Sequence, residues 1–370
     1  MKKERNSSLE VLRILSMFLI VMHHYSVHGG FNLNEQSLSL NKLLVQILSL
    51  GGKLGVNCFV LVSGYFLIKS KFKLKKIFII LGEVYFYSIG LFFIFVGLGI
   101  SDFSLSGFIK SFLPITYSSY WFVTVYIFMY ILSPYINSFI NSLSKENLFK
   151  FICISMFLWC IIPTFLVKSP EFSNLAWFIT LYTIAAYCRL YPNKYILNCK
   201  FNICLSTLMY FMAIISVVIF NLIGVKLALV GENATYFMSG NKIPIALCSI
   251  SLFLAFKNLN IQSNNFINTI AATTFGIYLI HDNIYVRPFL WENILKNSNY
   301  LYSKYLILHA IISIILVFII CSIIDYLRMK FIETPILKFI DKNTVNFKKY
   351  EQYYISLIRS IISKFKVLFL

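Results

Sequence analysis

A chain of 370 residues that is 59% apolar and only 13% charged, with a mean hydropathy of +0.77, excludes a soluble globule, in which about 25% of residues are charged. It reads as an integral membrane protein, and because each crossing takes ~20 apolar residues, no room is left for a separate soluble catalytic domain. The formal charge of +19 is the basic excess that membrane proteins gather on their cytosolic faces, and nucleic acid is not expected as a partner.

Apolar runs taken in chain order predict ten spans, over 9–27, 47–68, 77–99, 120–140, 148–167, 174–190, 203–223, 243–256, 267–286 and 305–327. Lys2, Lys3 and Arg5 precede the first run in the manner of a secretory signal. Arg13 and the His23–His24 pair interrupt that run and no small-x-small cleavage site follows, so a retained helix is expected. Gly51, Gly52 and Gly55 in the second run, and Pro244 at the start of the short eighth, make these the weakest spans. An even number of spans with the N-terminus inside puts 23 basic residues in cytosolic stretches and 9 in outer ones. That asymmetry supports an all-α bundle of about ten transmembrane helices with both termini cytosolic.

Residues 1–340 are thus expected to form one transmembrane domain, without internal repeat or linker. Residues 341–370 read as a basic amphipathic cytosolic tail: Ile355, Ile358, Ile361, Ile362 and Phe365 recur at helical spacing among five basic residues. Such a segment suits a helix lying on anionic inner-leaflet lipid. The eight cysteines lie in or beside apolar runs with no CxxC and no nearby His at ligand spacing, so they are read as core residues, and no metal site is expected.

Ionisable groups inside a span cost ~2.5–3.5 kcal/mol each on insertion scales and are functional candidates by default. The first span carries Glu10, Arg13, His23 and His24. At 100° per residue Arg13 and His24 fall ~20° apart around the axis and Glu10 about 40° off His24, whereas His23 points ~80° away from Arg13. The rise from Arg13 to His24 is about 16 Å, so one stripe holds a cation low in the membrane and a titratable base high in it. Two readings of this stripe stand together. In one it is a functional constellation; in the other Glu10 and Arg13 form a structural ion pair and the histidines sit idle at the outer interface.

Further motifs bear on the choice. Ser8-Leu9-Glu10-Val11-Leu12-Arg13 leading to His24 resembles the opening of the acyltransferase 3 family, multi-pass membrane acyltransferases that modify surface polysaccharides. Gly55-Val56 through Ser63-Gly64-Tyr65, Tyr120-Trp121-Phe122 with Tyr126 and Ser133-Pro134, Tyr278-Leu279-Ile280-His281, and Phe331-Ile332-Glu333-Thr334-Pro335 resemble later motifs of that family in its order. The similarity runs from about residue 7 to 336. Two departures stand out: Asn57 replaces a common Asp or Pro, and Lys71, Lys73, Lys75 and Lys76 stand where relatives carry arginines, which keeps charge but loses bidentate phosphate geometry.

The resemblance implies a multi-pass enzyme of the bacterial plasma membrane, with acyl-CoA, usually acetyl-CoA, as co-substrate on the cytosolic side and no tightly bound cofactor. The acceptor it implies is a hydroxyl of a surface or lipid-linked glycan, such as capsule or exopolysaccharide. Many relatives carry a fused extracytoplasmic esterase-like domain; none follows here, so the membrane part is expected to deliver the acyl group itself or hand it to a separate protein.

On this reading His24 is the general base, or forms a transient acyl-imidazole. Arg13, oriented by Glu10, holds the CoA arm or phosphate, and Lys71, Lys73, Lys75 and Lys76 supply positive charge at the nucleotide end, where ordinary topology charge explains any one of them equally well. Ser63, the Trp121 indole and His281, adjoining Asp282, are candidate substrate or oxyanion contacts, against packing and interface roles. Glu83 has no evident partner, and Glu333 reads as the end of a structural element. The rival class is a transporter or flippase for lipid-linked saccharides; the absence of an inverted repeat and of paired broken helices weighs against it. A glycan polymerase, a third class, calls for larger and more basic outer loops.

Overall fold

The computed structural model describes residues 7–33, 37–166 and 173–342, with Tyr353 and Ser356. The expected tail over 341–370 therefore lies almost wholly outside the described residues, as do Lys2, Lys3 and Arg5.

The described residues form an all-α bundle whose long helices are α1 (Ser7–Val27), α2 (Gly51–Leu67), α3 (Leu74–Gly97), α4 (Trp121–Ser142), α5 (Lys145–Met156), α6 (Asn174–Leu190), α7 (Cys199–Gly224), α8 (Ile243–Lys257), α9 (Asn265–His281) and α10 (Leu306–Arg328). Among the described residues eight stretches are helical, long and apolar enough to cross a membrane. Helices α6 and α9, of 17 residues each and not joined to a neighbouring helix, fall just short of that length.

The periphery and the centre differ as a lipid-facing bundle requires. Helix α10 buries only a stripe that includes Ala310, Ser313, Ile314, Val317 and Cys321, while Ile312, Ile315, Ile319 and Ile323 on its other faces are exposed. A helix apolar on its outer faces, with small residues along its packed side, is matched to lipid outside and protein inside.

Helix α1 is central, packing on α2, α9 and α10. The glycines that weaken the second run as a span are its contact surface with α1. A Cβ on Gly51 would lie 2.5 Å from the Leu19 carbonyl oxygen, and one on Gly55 2.4 Å from that of Ser16. Gly64 approaches α6 in the same way, 2.7 Å from Tyr182 Cα. Close backbone approach is the means by which membrane helices gain packing energy without a hydrophobic drive.

Two expected spans are interrupted. The run over 47–68 breaks at Ser49–Leu50, between a short helix Leu40–Leu48 and α2. At the break the Ser49 carbonyl accepts a hydrogen bond from His23 Nδ1 at 2.6 Å. The run over 148–167 passes from α5 into a π turn (Phe157–Ile161) before a last helical turn (Ile162–Phe165). Pro163 lacks the N–H that would serve the Trp159 carbonyl four residues back, and Asn241 Nδ2 donates to that oxygen at 3.1 Å instead.

Candidate active site

A cavity of about 460 Å³ opens between α1, α2, α3, α4 and α9. Helix α1 runs along it, so the stripe read from its sequence becomes one wall, with Glu10 and Arg13 at one end and His24 toward the other. Arg13 Nη1 pairs with Glu10 Oε2 at 3.0 Å, and Arg13 Nη2 reaches Thr274 Oγ1 on α9 at 3.4 Å. The guanidinium is thus fixed by two helices while still facing the cavity.

His24 Nδ1 lies 2.8 Å from His281 Nε2, and His281 Nδ1 lies 2.5 Å from the Ile277 carbonyl oxygen. A carbonyl only accepts, so His281 Nδ1 carries the hydrogen. With both rings neutral, His281 Nε2 is then a bare acceptor, and His24 Nδ1 must be the donor. His24 Nε2 is left with its lone pair on a ring whose orientation is set from behind, as a base requires.

Beyond the histidines lies a buried acid. Asp282 Oδ1 sits 2.8 Å from Arg287 Nη2, 3.6 Å from His28 Nε2 and 3.8 Å from His24 Nδ1. Asp282 is buried, and the Arg287 guanidinium is the nearest counter-charge to its carboxylate. Burial and the Arg287 charge hold the His28 imidazole down to about 3, which keeps it neutral. Asn283 donates to the Tyr120 hydroxyl at 2.8 Å, and that hydroxyl donates to the Leu279 carbonyl at 3.0 Å, tying the end of α9 to the start of α4.

The cavity thus presents a buried imidazole braced by a second imidazole, together with a guanidinium fixed by two helices. A family model described as an acyltransferase domain matches residues 6–326. The chain belongs to this acyltransferase family. No curated protein and no solved structure matches the chain. As a member of the acyltransferase 3 family it is a membrane enzyme of acyl transfer, and four of the five motifs that carry the resemblance place at least one residue on the cavity wall.

In this acyltransferase, Ser63 and Trp121 line the cavity together with Glu10, Arg13 and His24. His23 lines it too, although its register on α1 differs, because the ring fills the space left by Gly52: a Cβ there would lie 2.4 Å from His23 Cγ. His281 is fully buried behind His24 and is not on the wall. Asp282, adjacent to it in sequence, turns to Arg287, His28 and His24 instead.

Of the four lysines only Lys76 reaches the cavity wall, and its ammonium lies 5.9 Å from the centre of the Tyr130 ring. Lys71 and Lys73 are exposed away from the wall, and Lys75 is half-buried. The Lys73 backbone exchanges hydrogen bonds with the Tyr130 hydroxyl at 3.1 and 3.2 Å, so this loop is pinned to α4.

Asn57, which departs from the common family residue, is a packing hub. It accepts from the Trp177 indole at 3.0 Å and donates to the Gly240 carbonyl at 2.7 Å and to Ser249 at 3.2 Å. Glu83 also lines the cavity and has a partner that sequence does not show: Arg328 Nη2, at 3.1 Å. Arg328 further binds Asp325 at 2.6 Å and Glu333 at 2.7 Å, and Glu333 closes a π turn (Met329–Glu333) that follows α10.

Sequence reasoning misses Lys53, Glu83 with Arg328, and the Asp282–Arg287 pair as parts of one site. His28 alone carried a signal, since four residues after His24 places it on the same face of α1.

Proposed function

We propose that the protein transfers an acyl group, most simply acetyl, from cytosolic acyl-CoA to a hydroxyl of a surface or lipid-linked glycan at the bacterial plasma membrane. The observation that carries this reading is the single cavity joining Arg13 at one end to His24 at the other. The CoA phosphates would meet Arg13 and Lys76, with Lys71, Lys73 and Lys75 contributing field at the entrance. The pantetheine arm would run along α1 and set the thioester carbonyl beside His24, with Ser63 and the Trp121 indole as donors for the developing oxyanion.

The chemistry then balances without an added reactant. The acceptor oxygen attacks the thioester carbon while His24 Nε2 takes its proton. The C–S bond breaks, and the sulfur leaves with that proton as free CoA thiol. His281 holds the tautomer in which Nε2 can accept, and the Asp282 carboxylate, 3.8 Å from His24 Nδ1, favours the imidazolium that forms.

In the membrane arrangement that suits this reading, all ten long helices cross, both termini are cytosolic, and residues 341–370 lie against anionic inner-leaflet lipid as a separate tail. Single cysteines at Ser70 and Ser106, in a background without native cysteines, should then label from opposite sides with an impermeant thiol reagent. Outer labelling at position 70 would place the donor on the wrong side.

The function itself is tested by giving membranes that contain the protein labelled acetyl-CoA. Label is expected to enter glycan with wild-type protein, and Arg13→Ala is expected to weaken donor use. No transfer to any glycan would overturn the proposal.

A further inference from the structure

The charges on the cavity wall can be sorted by partner. Arg13 is paired with Glu10 at 3.0 Å and Glu83 with Arg328 at 3.1 Å. Lys76 stands at the Arg13 end, where the donor phosphates are placed above. Lys53 is left over. It lies in the first turn of α2, beside Gly52 and its close neighbour His23, at the far end of the cavity from Arg13. Its ammonium rests over the Trp121 ring, 4.2 Å from the centroid, and among the described residues no carboxylate pairs with it.

A lysine near a helix end in a membrane protein ordinarily snorkels, sending its head outward to water and headgroups. Lys53 does the reverse: the side chain turns inward and lines the cavity. The cation–π contact with Trp121 offsets only part of what it costs to take this ammonium out of water, and no carboxylate among the described residues supplies the rest. A cation held in that position is short of a counter-charge, and the cavity is where one can arrive.

The thioester carbon must sit against His24, and a short acyl group ends there, so the space between His24 and Lys53 falls to the acceptor. We propose that Lys53 is an anion-recognition residue for the acceptor: the glycan that offers its hydroxyl to His24 carries a carboxylate or phosphate on the same sugar or its immediate neighbour. The inference rests on the acyltransferase reading above and adds the substrate's charge class to it.

The test follows labelled acetyl-CoA into product with the full chain reconstituted in lipid nanodiscs and cell-surface glycan fractions as acceptors. The labelled product should bind an anion exchanger, and NMR should place the negative group on the acylated sugar or next to it. Lys53→Gln should raise the acceptor KM by about tenfold or more, with kcat and the acetyl-CoA KM within about threefold of wild type. Lys53→Arg, which keeps the charge, should recover most of the loss.

Label appearing in a neutral glycan would overturn the inference and leave acyl transfer standing. So would a Lys53→Gln variant with an unchanged acceptor KM, or one whose defect falls on the acetyl-CoA KM, which would assign Lys53 to the donor. No label from wild-type protein in any fraction would remove the acyltransferase reading and this inference together.

Discussion

His24→Ala should abolish acyl transfer while the protein inserts and accumulates normally, and His23→Ala should retain substantial activity. The two rings are adjacent in sequence and both face the cavity, so proximity does not separate them; their hydrogen bonds do. His23 Nδ1 donates to the Ser49 carbonyl at the break before α2, a structural duty. His24 Nδ1 donates to His281, whose other nitrogen is fixed by Ile277, and this leaves His24 Nε2 free to take a proton. General-base catalysis contributes ~10²–10⁴-fold, about 3–5 kcal/mol of barrier, far more than the loss of one hydrogen bond to a carbonyl. His281→Ala should fall between the two variants, lowering kcat with little change in KM, because it removes the acceptor that sets the His24 tautomer and leaves the base itself. Glycan acylation measured by NMR in cells carrying each variant separates these outcomes. Equal and mild effects at positions 23 and 24 would return both rings to packing.

What the amino-acid order reveals here follows from which distances are local. Helical geometry alone fixes the angle between Arg13 and His24, so their common wall is legible without any knowledge of the fold. The glycines of α2 read in the sequence only as weaknesses of the span, because the residues that require them, Leu19, His23 and Ser16 of α1, lie outside the segment. Hydropathy locates every long helix and misses the break at Ser49 and the π turn before Pro163, because both depend on which side chain is near enough to serve a freed carbonyl.

Charge counting has a sharper blind spot. It treats each Lys or Arg near a helix end as a topology signal, which for Lys53 and Arg328 says nothing of where the side chain points. Both side chains turn inward. Glu83 and Arg328 are 245 positions apart in the chain, and only the tertiary fold makes them a pair. The four lysines over 71–76 show the opposite error: a cluster that is uniform in sequence is divided by helix geometry, with Lys76 alone at the wall.

The largest effect on folding should come from Arg328. Its guanidinium holds Glu83 at 3.1 Å, Asp325 at 2.6 Å and Glu333 at 2.7 Å, and Tyr87 adds a hydroxyl hydrogen bond to Asp325 at 2.8 Å. Helix α9 closes directly over this cluster: a Cβ on Gly276 would lie 2.0 Å from Asp325 Cγ, so the carboxylate has no room to turn away toward water. Arg328→Met keeps much of the side-chain volume but strands two buried acids, Glu83 and Asp325, each of which must take up a proton or stay charged in a low dielectric, and it leaves the partly exposed Glu333 without this partner. Breaking such a pair from one side costs ~3–5 kcal/mol, enough to deplete a protein of ordinary stability. The variant should melt at a clearly lower temperature in detergent and accumulate poorly in membranes. If charge rather than shape is the cause, Glu83→Gln and Asp325→Asn added to Arg328→Met should restore much of the lost stability, because neutral amides need no cation between them. Arg328→Lys should restore less, since one ammonium cannot reproduce the fork that reaches three carboxylates at once. An unchanged melting temperature in Arg328→Met, or a triple variant no more stable than the single one, would show that α3, α9 and α10 are held together by packing alone.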